Sequence, residues 1–114
     1  MTSDELEDRL IDYAADVLKF CERLAKRPEC RHVMGQLLRS SSSPAANYAE
    51  ARGAESKADF AHKIAIVRKE LQECAVWLKI LKRAGLADAA DLLKETDELC
   101  RIMGATIRTL RGKK

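Results

Sequence analysis

The chain is poor in aromatic residues, glycine and proline, and it has no long hydrophobic run. Phe, Trp and Tyr make up 4% of its 114 residues. The core must therefore consist of Leu, Ala, Ile, Val and Met, which suits packing between helices. Five glycines and two prolines argue against a fold rich in strands and turns. No apolar run approaches the roughly 18 to 20 residues that span a bilayer, so we expect no membrane association.

The excess of positive charge is small. There are 21 basic and 18 acidic residues, for a formal net charge of +3, which permits nucleic-acid binding without requiring it. The first ten residues, MTSDELEDRL, are acidic and polar, unlike a secretory signal. The four cysteines form no Cys-x-x-Cys pair, and three of them lie on apolar helix faces. We therefore expect reduced thiols in a cytoplasmic protein.

Apolar residues recur at spacings of three and four along four segments, which predicts four amphipathic helices. The first helix is expected to begin near Ser3, with a capping box formed by Thr2 and Glu5. Pro28 disfavours helical geometry in the residue before it, so it ends the first helix, and the second is expected to begin beside it.

The third helix has a start signal in Ser56 and Asp59 and a stop signal in Gly85, and the fourth is expected near Asp88. The third helix is apolar around much of its circumference, so we expect it to face one neighbour inside the chain and another outside it. Short connections favour an antiparallel up-down-up-down four-helix bundle. The prediction is one all-α domain covering residues 1–114.

The second helix contains Pro44 directly after a run of serines. Proline lacks an N–H group and clashes with the carbonyl four residues back, at Ser40, so we expect a kink or a local loosening there. The alternative is a true break into two short helices. The hydroxyls of Ser41, Ser42 and Ser43 are expected to bond backbone groups that the proline frees.

The central part of the chain resembles a known family. The segments QLLRSSSSPAANYAEA, SKADFAHKIAIVRKEL and QECAVWLKIL are similar to the four-helix bundle family of 23S rRNA intervening-sequence proteins, also named the S23 ribosomal protein family. The resemblance extends from Leu18 to about Leu110. It implies a bundle similar in fold to the accessory variability determinant of diversity-generating retroelements.

That similarity implies an assembly and partners that the residues alone do not. It implies a homopentameric ring with a central channel, and it implies RNA or DNA and a reverse transcriptase as partners. Some genes of the family lie within rRNA insertions, and the family has no established catalytic reaction.

Several polar residues lie close to the predicted apolar faces of helices two and three. With these helices antiparallel, Arg39 is expected opposite Glu70 and Glu73, and Lys63 within reach of Asn47. A phosphate contact by Arg39 is the functional alternative. We interpret the whole set as a structural polar network that fixes helix register, made of Arg39, Asn47, Glu50, Lys63, Glu70 and Glu73.

Basic residues gather near the predicted helix ends, where they are candidates for nucleic-acid binding. The candidates are Lys26, Arg27, Arg31, Lys79, Lys82 and Arg83 at one end of the bundle, and Arg108, Arg111 and Lys113 at the other. Arg52 and Lys57 are expected to join the second group. In a ring each group repeats as a crown, which binds phosphates more strongly than one chain does. The alternative is solvated helix ends compensated by Asp88 and Asp91.

No nucleophile, base and orienting group converge at a readable spacing, so we expect no enzyme, catalytic residue or cofactor. An active site of Glu50, His62 and Lys63 is the weakest alternative. The one Glu-x-x-His pair, Glu29 with His32, falls in a predicted loop, so no metal site is expected. Two functions remain. One is a nucleic-acid-binding or ribonucleoprotein accessory module, and the other is a scaffold for a protein partner.

Overall fold

The computed structural model describes residues 1–112, which contain four α-helices and no strand. The helices are α1 (Ser3–Leu24), α2 (Arg31–Arg52), α3 (Lys57–Arg83) and α4 (Ala90–Leu110). They form an all-helical four-helix bundle that measures 45 Å along its longest axis. Within residues 1–112, no helix has both the length and the hydrophobicity needed to cross a membrane.

The predicted cap residues hold the helix ends. The Thr2 hydroxyl accepts a hydrogen bond from the Glu5 N–H at 3.1 Å, and the Thr2 N–H donates to the Glu5 carboxylate at 2.8 Å. The Ser56 hydroxyl accepts from the Asp59 N–H at 3.0 Å at the start of α3. After α3 the chain turns at Gly85, whose φ of 71° is one that residues with a side chain rarely adopt. These predictions are confirmed.

Two helices begin later than predicted. Pro28 to Cys30 forms a short 3₁₀ turn, so α2 starts at Arg31. The fourth helix starts at Ala90, and the Asp88 carboxylate accepts a hydrogen bond from the Ala90 N–H at 3.1 Å. In both cases the residue expected at the helix start lies before the helix. Pro28 lacks an N–H group, and Asp88 accepts the N–H of the first helical residue.

The second helix continues through Pro44 without interruption, so the alternative of two short helices is wrong. The Ser40 hydroxyl donates to the carbonyl of Gln36 at 3.0 Å, and the Ser42 hydroxyl donates to that of Leu38 at 2.9 Å. These bonds hold the turn before the proline to its own backbone. A kink near Ser40 stays a prediction.

The face of α1 that enters the core includes Phe20, which is buried with 5% of its surface exposed beside Val17, Cys21 and Leu24. The third helix packs against both α2 and α4. Its two neighbours inside the chain cover most of its apolar surface, yet Val76 remains 54% exposed.

Charged side chains join neighbouring helices in a recurring arrangement, which we call an arginine clamp. In a clamp, one guanidinium group lies between two carboxylates that are three residues apart on a neighbouring helix. Arg9 of α1 forms one with α4, where it lies 2.7 Å from Glu95 and 2.9 Å from Glu98. The hydrogen bonds that Arg9 donates to Glu95 and Glu98 raise the pKa of Arg9. The carboxylate spacing places both acids on one face of their helix, so one arginine reaches both.

Candidate nucleic-acid interface

The first predicted group of cations lies where the α1–α2 connection meets the α3–α4 connection. Leu24 and Arg27 line one cleft of about 420 Å³ together with Leu86, Ala87 and Asp88. Arg23 lines the same cleft and joins the group. We call this exposed surface the basic end; it consists of Arg23, Lys26, Arg27, Arg31, Lys79, Lys82 and Arg83.

Most cations of the basic end have no carboxylate partner. Among residues 1–112, one ion pair within 4.0 Å involves them, between Arg27 and Glu29 at 3.8 Å. The guanidinium carbon of Arg23 lies 5.9 Å from the centre of the Phe20 ring, which positions the charge without neutralising it. The basic end therefore offers cations that remain available to an anionic partner.

The second predicted group lies at the end of α4. Arg108 is in the last turn of α4 and Arg111 is the first residue after that helix, and both are exposed. Lys113 lies outside the described residues. Cations at the C-terminal end of a helix are stabilised by the helix dipole, so these positions have a structural role whether or not they bind a ligand.

Arg52 does not join this second group as an available cation. It forms an arginine clamp with α1, at 2.7 Å from Asp4 and 2.9 Å from Glu7. The hydrogen bonds that Arg52 donates to these two carboxylates raise the pKa of Arg52. The expectation that Arg52 adds to a crown is therefore wrong, because its charge is already balanced within the chain.

The third arginine clamp joins α2 to α3 through Arg39. Its Nη1 lies 3.1 Å from Glu70, and its Nη2 bonds Glu73. Trp77 Nε1 donates to the same Glu73 oxygen at 3.1 Å. These hydrogen bonds, from Trp77 first and from Arg39, lower the pKa of Glu73. The structure thus brings together three of the predicted network residues, and the Arg39 side chain is 52% exposed rather than buried.

The remaining network residues form two separate pairs. Lys63 Nζ donates a hydrogen bond to the Glu50 carboxylate at 2.9 Å, and this bond raises the pKa of Lys63. Asn47 instead donates to the carbonyl of Ser43 at 3.0 Å and to its hydroxyl at 2.9 Å. Asn47 and Lys63 thus form no bond with each other among residues 1–112, because a partner one turn away on the same helix satisfies the amide, and their lying within reach of each other stays a prediction.

Four buried polar side chains, one from each helix, meet in the core, and the sequence analysis missed this set. The hydroxyls of Tyr13 and Thr96 lie 2.6 Å apart. The Cys74 thiol donates to the Ser40 hydroxyl at 3.4 Å. Burial raises the pKa of Tyr13 and raises that of Cys74 to about 11. Both groups therefore keep their protons at neutral pH, which suits a structural role better than a nucleophilic one.

The donors of these bonds can be assigned from their second partners. Thr96 Oγ1 lies 2.6 Å from the carbonyl of Leu92, to which it donates, so the Tyr13 hydroxyl is the donor to Thr96. Each helix therefore contributes a polar group with a defined partner. Within residues 1–112, no three His, Cys, Asp or Glu side chains gather as metal ligands.

Large apolar side chains are exposed on two different helices. On α1 these are Ile11, 47% exposed, and Leu18, 59% exposed. On α3 they are Val76 and Ile80, 54% and 42% exposed. Leu18 also lines an apolar groove of about 260 Å³ between α1 and α2. Two helices of the bundle thus each carry a pair of exposed large apolar side chains.

The fold and the sequence are similar to those of known proteins. Residues 5–105 match the family described as 23S rRNA-intervening sequence proteins. The structure is similar to that of a protein with unknown function from the S23 ribosomal protein family of Bacteroides thetaiotaomicron VPI-5482. The TM-score is 0.88 at 26% identity, over 95% of this chain and 99% of that chain. No curated protein matches the chain. The predicted resemblance and the all-helical fold are confirmed.

Proposed function

We propose that this chain, which belongs to the 23S rRNA-intervening sequence protein family, is a nucleic-acid-binding accessory module without enzyme activity. The observation that carries the proposal is the basic end, where exposed cations from the α1–α2 connection and from the neighbouring helix ends have few carboxylate partners. Such groups bind backbone phosphates with little regard to sequence, so the proposed ligand is RNA or DNA. The four cysteines are unpaired thiols, which supports a cytoplasmic location.

The proposal includes an up-down-up-down order of the helices. Contacts between helix ends support it. Arg52, the last residue of α2, binds Asp4 in the first turn of α1. His32, near the start of α2, packs edge-on against Trp77 in the second half of α3, with ring centres 5.9 Å apart. Each pair places the end of one helix beside the start of its neighbour.

The proposal also includes a homopentameric ring. The exposed apolar residues of α1, Ile11 and Leu18, differ from those of α3, Val76 and Ile80. A contact between two different surfaces is head-to-tail, and head-to-tail contacts form rings when the rotation closes. In such a ring the basic end repeats in every subunit, so weak phosphate contacts add up to a stronger interaction.

The proposal is tested by binding of labelled RNA and of duplex DNA over a range of NaCl concentrations. We expect binding at about 50 mM NaCl that weakens steeply as salt rises, because bound phosphates release counterions. The variant Lys82→Gln/Arg83→Gln should weaken binding about tenfold and reduce the salt slope. The control Lys19→Gln/Lys69→Gln removes the same charge away from the basic end and should have a smaller effect. Absence of salt-dependent binding at about 50 mM NaCl contradicts the proposal.

A protein scaffold is the second candidate function. The apolar groove between α1 and α2, lined in part by Leu18, Met34 and Leu38, favours a protein partner such as a reverse transcriptase. This function predicts a complex that survives nuclease treatment and is lost in Leu38→Glu. A complex that nuclease dissolves would instead support the nucleic-acid function.

A further inference from the structure

Two arginines from different helices converge over a buried glycine. A Cβ atom placed on Gly104 of α4 would lie 3.6 Å from Nη1 of Arg108 and 3.6 Å from Cζ and Nε of Arg68. The Nη1 atom of Arg108 and the Cζ atom of Arg68 are therefore separated by at most twice 3.6 Å. Arg68 comes from α3 and Arg108 from the last turn of α4, and both are exposed while Gly104 is buried.

This pair has the opposite charge pattern to the arginine clamps. Each clamp places one cation between two carboxylates, whereas Arg68 and Arg108 are two cations without a carboxylate within 4.0 Å among residues 1–112. The sequence explains the difference. Between Asp59 and Glu70 the third helix has no acidic residue, and the fourth has none after Glu98. Two like charges held close together repel each other unless an anion lies between them.

The pair is part of a longer row. Arg101, Gly104, Arg108 and Arg111 are spaced by three, four and three residues, so they lie on one side of α4. On the same side of α3, Ala65 and Ala61 lie three and seven residues before Arg68. Their short side chains leave the row of arginines uncovered. With about 1.5 Å of rise per residue, the three arginines of α4 extend over roughly 15 Å. A row of this length fits a chain of phosphates better than a single small anion.

We propose that Arg68 and Arg108 form an oxyanion site for a phosphate group, and that Arg101 and Arg111 bind neighbouring phosphates of the same nucleic-acid strand. The inference rests on the proposed nucleic-acid function for the identity of the strand. Guanidinium groups suit this ligand because their planar donors bond two phosphate oxygens at once. Inorganic pyrophosphate has the same phosphate oxygens but no nucleic-acid strand. Its binding therefore tests the oxyanion site independently of nucleic-acid binding.

The experiment compares three variants in binding to single-stranded RNA and to pyrophosphate, with the assembly mass measured by light scattering. Arg68→Gln/Arg108→Gln removes the site. Gly104→Glu adds a carboxylate between the two guanidinium groups, which should bind them in place of an external anion. The change also raises helix propensity, so it should not destabilise α4. Lys19→Gln/Lys69→Gln removes the same charge elsewhere and serves as the control.

We expect the double arginine variant to bind RNA about tenfold more weakly, with a salt slope reduced by about 1.5, because two phosphate contacts are lost. Gly104→Glu should lose pyrophosphate binding while its melting temperature stays the same or rises. That combination separates a filled binding site from a damaged fold. The control should change RNA affinity less than threefold.

The inference is overturned if the wild-type chain binds neither pyrophosphate nor RNA. It is overturned if the assembly of the double variant falls apart, which assigns the arginines to carboxylates of a second copy. It is also overturned if the wild-type chain binds RNA and the double variant has the same RNA affinity as the control. Pyrophosphate binding that depends on Arg68 and Arg108, without RNA binding, supports the oxyanion site and contradicts the proposed function. RNA binding that depends only on the basic end supports the function and overturns the site.

Discussion

The hydroxyl groups of Tyr13 and Thr96 lie 2.6 Å apart inside the bundle and join its first helix to its last. Both side chains are almost completely buried. A buried hydroxyl without a partner is costly, so this bond favours the one helix register in which the two residues meet. The Ser40–Cys74 bond does the same for α2 and α3.

Removing the Tyr13 hydroxyl should destabilise the fold. We expect Tyr13→Phe to lower the free energy of unfolding by about 1 to 2 kcal/mol, because Thr96 loses its donor. Chemical denaturation measures this change. Tyr48→Phe is the matched control, since the Tyr48 side chain is buried but its hydroxyl bonds no side chain among residues 1–112. Equal losses in the two variants would contradict the assigned role of the bond.

The same residue predicts how stability depends on alkaline pH. Burial raises the pKa of Tyr13 above its ordinary value of 10.0. Below pH 10 the folded and unfolded chains both keep this proton, so its stabilising contribution is complete. Above pH 10 the unfolded chain loses the proton first, and the free energy of unfolding falls as pH rises. Tyr13→Phe should fall less steeply over this range in denaturation curves measured at each pH.

Trp77 is the only tryptophan, so its fluorescence reports the ionisation of Glu73. Hydrogen bonds from Trp77 and from Arg39 lower the pKa of Glu73 below its ordinary 4.5. The stabilising contribution of the carboxylate is present above that value and is lost as pH falls through the lowered pKa. We expect a fluorescence transition below pH 4.5 that moves upward in Arg39→Met. Its persistence in Glu73→Gln would contradict the assignment.

The thiols should differ in reactivity. Cys100 is half-buried, whereas Cys21 and Cys74 are buried with pKa values raised to about 11. Burial and Asp97 raise the pKa of Cys100, while Arg68 lowers it. We expect iodoacetamide to modify Cys100 first, at a rate that rises about tenfold per pH unit up to pH 9. Mass spectrometry of peptides identifies the modified residue, and first reaction at Cys74 would contradict this order.

Replacing Pro44 with alanine should increase the free energy of unfolding. Pro44→Ala restores an N–H donor to the carbonyl of Ser40 and removes a helix-interior penalty of about 3 kcal/mol. It also loses the packing of a buried ring, at about 0.8 kcal/mol per methylene. The first effect is larger, so we expect a net gain of about 1 kcal/mol in thermal or chemical unfolding. A net loss would mean that the core depends on the ring.

The proposed ring predicts the effect of charges on the exposed apolar residues. Leu18→Glu or Val76→Glu should convert the assembly into monomers of 12.8 kDa, because a charge would have to be buried at the contact. Size-exclusion chromatography with light scattering measures the mass. Asp16→Asn on α1, where the residue is already polar and exposed, is the control. A wild-type chain that is monomeric in dilute buffer contradicts the ring.

Local signals in the sequence predicted more of this structure than long-range ones. The caps at Thr2 and Ser56 were readable because their partners lie three residues away. The bond between Tyr13 and Thr96 joins residues 83 positions apart, and Thr96 was predicted only as part of an apolar stripe. Asn47 was misassigned because a helix offers its amide a partner four residues back, which competes with any partner across the interface.

The same distinction applies to the candidate site: one part was predicted from the sequence, and the part that depends on helix packing was missed. The basic end was predicted from charges near two connections, which any antiparallel pairing brings together. The convergence of Arg68 and Arg108 was missed, since it depends on which turn of α3 packs over Gly104. Spacing of acidic residues is only a partial signal: Asp4–Glu7, Glu70–Glu73 and Glu95–Glu98 each bind an arginine, whereas the equally spaced Glu5–Asp8 and Asp88–Asp91 bind none among residues 1–112.

The three arginine clamps also determine how charge is distributed over the molecule. Together they contain three arginines and six carboxylates, so they carry a formal charge of −3. The whole chain carries +3, which leaves +6 for everything outside the clamps. An approaching polyanion is therefore repelled by the clamps and attracted by the remaining surface, whose net charge is twice that of the whole chain.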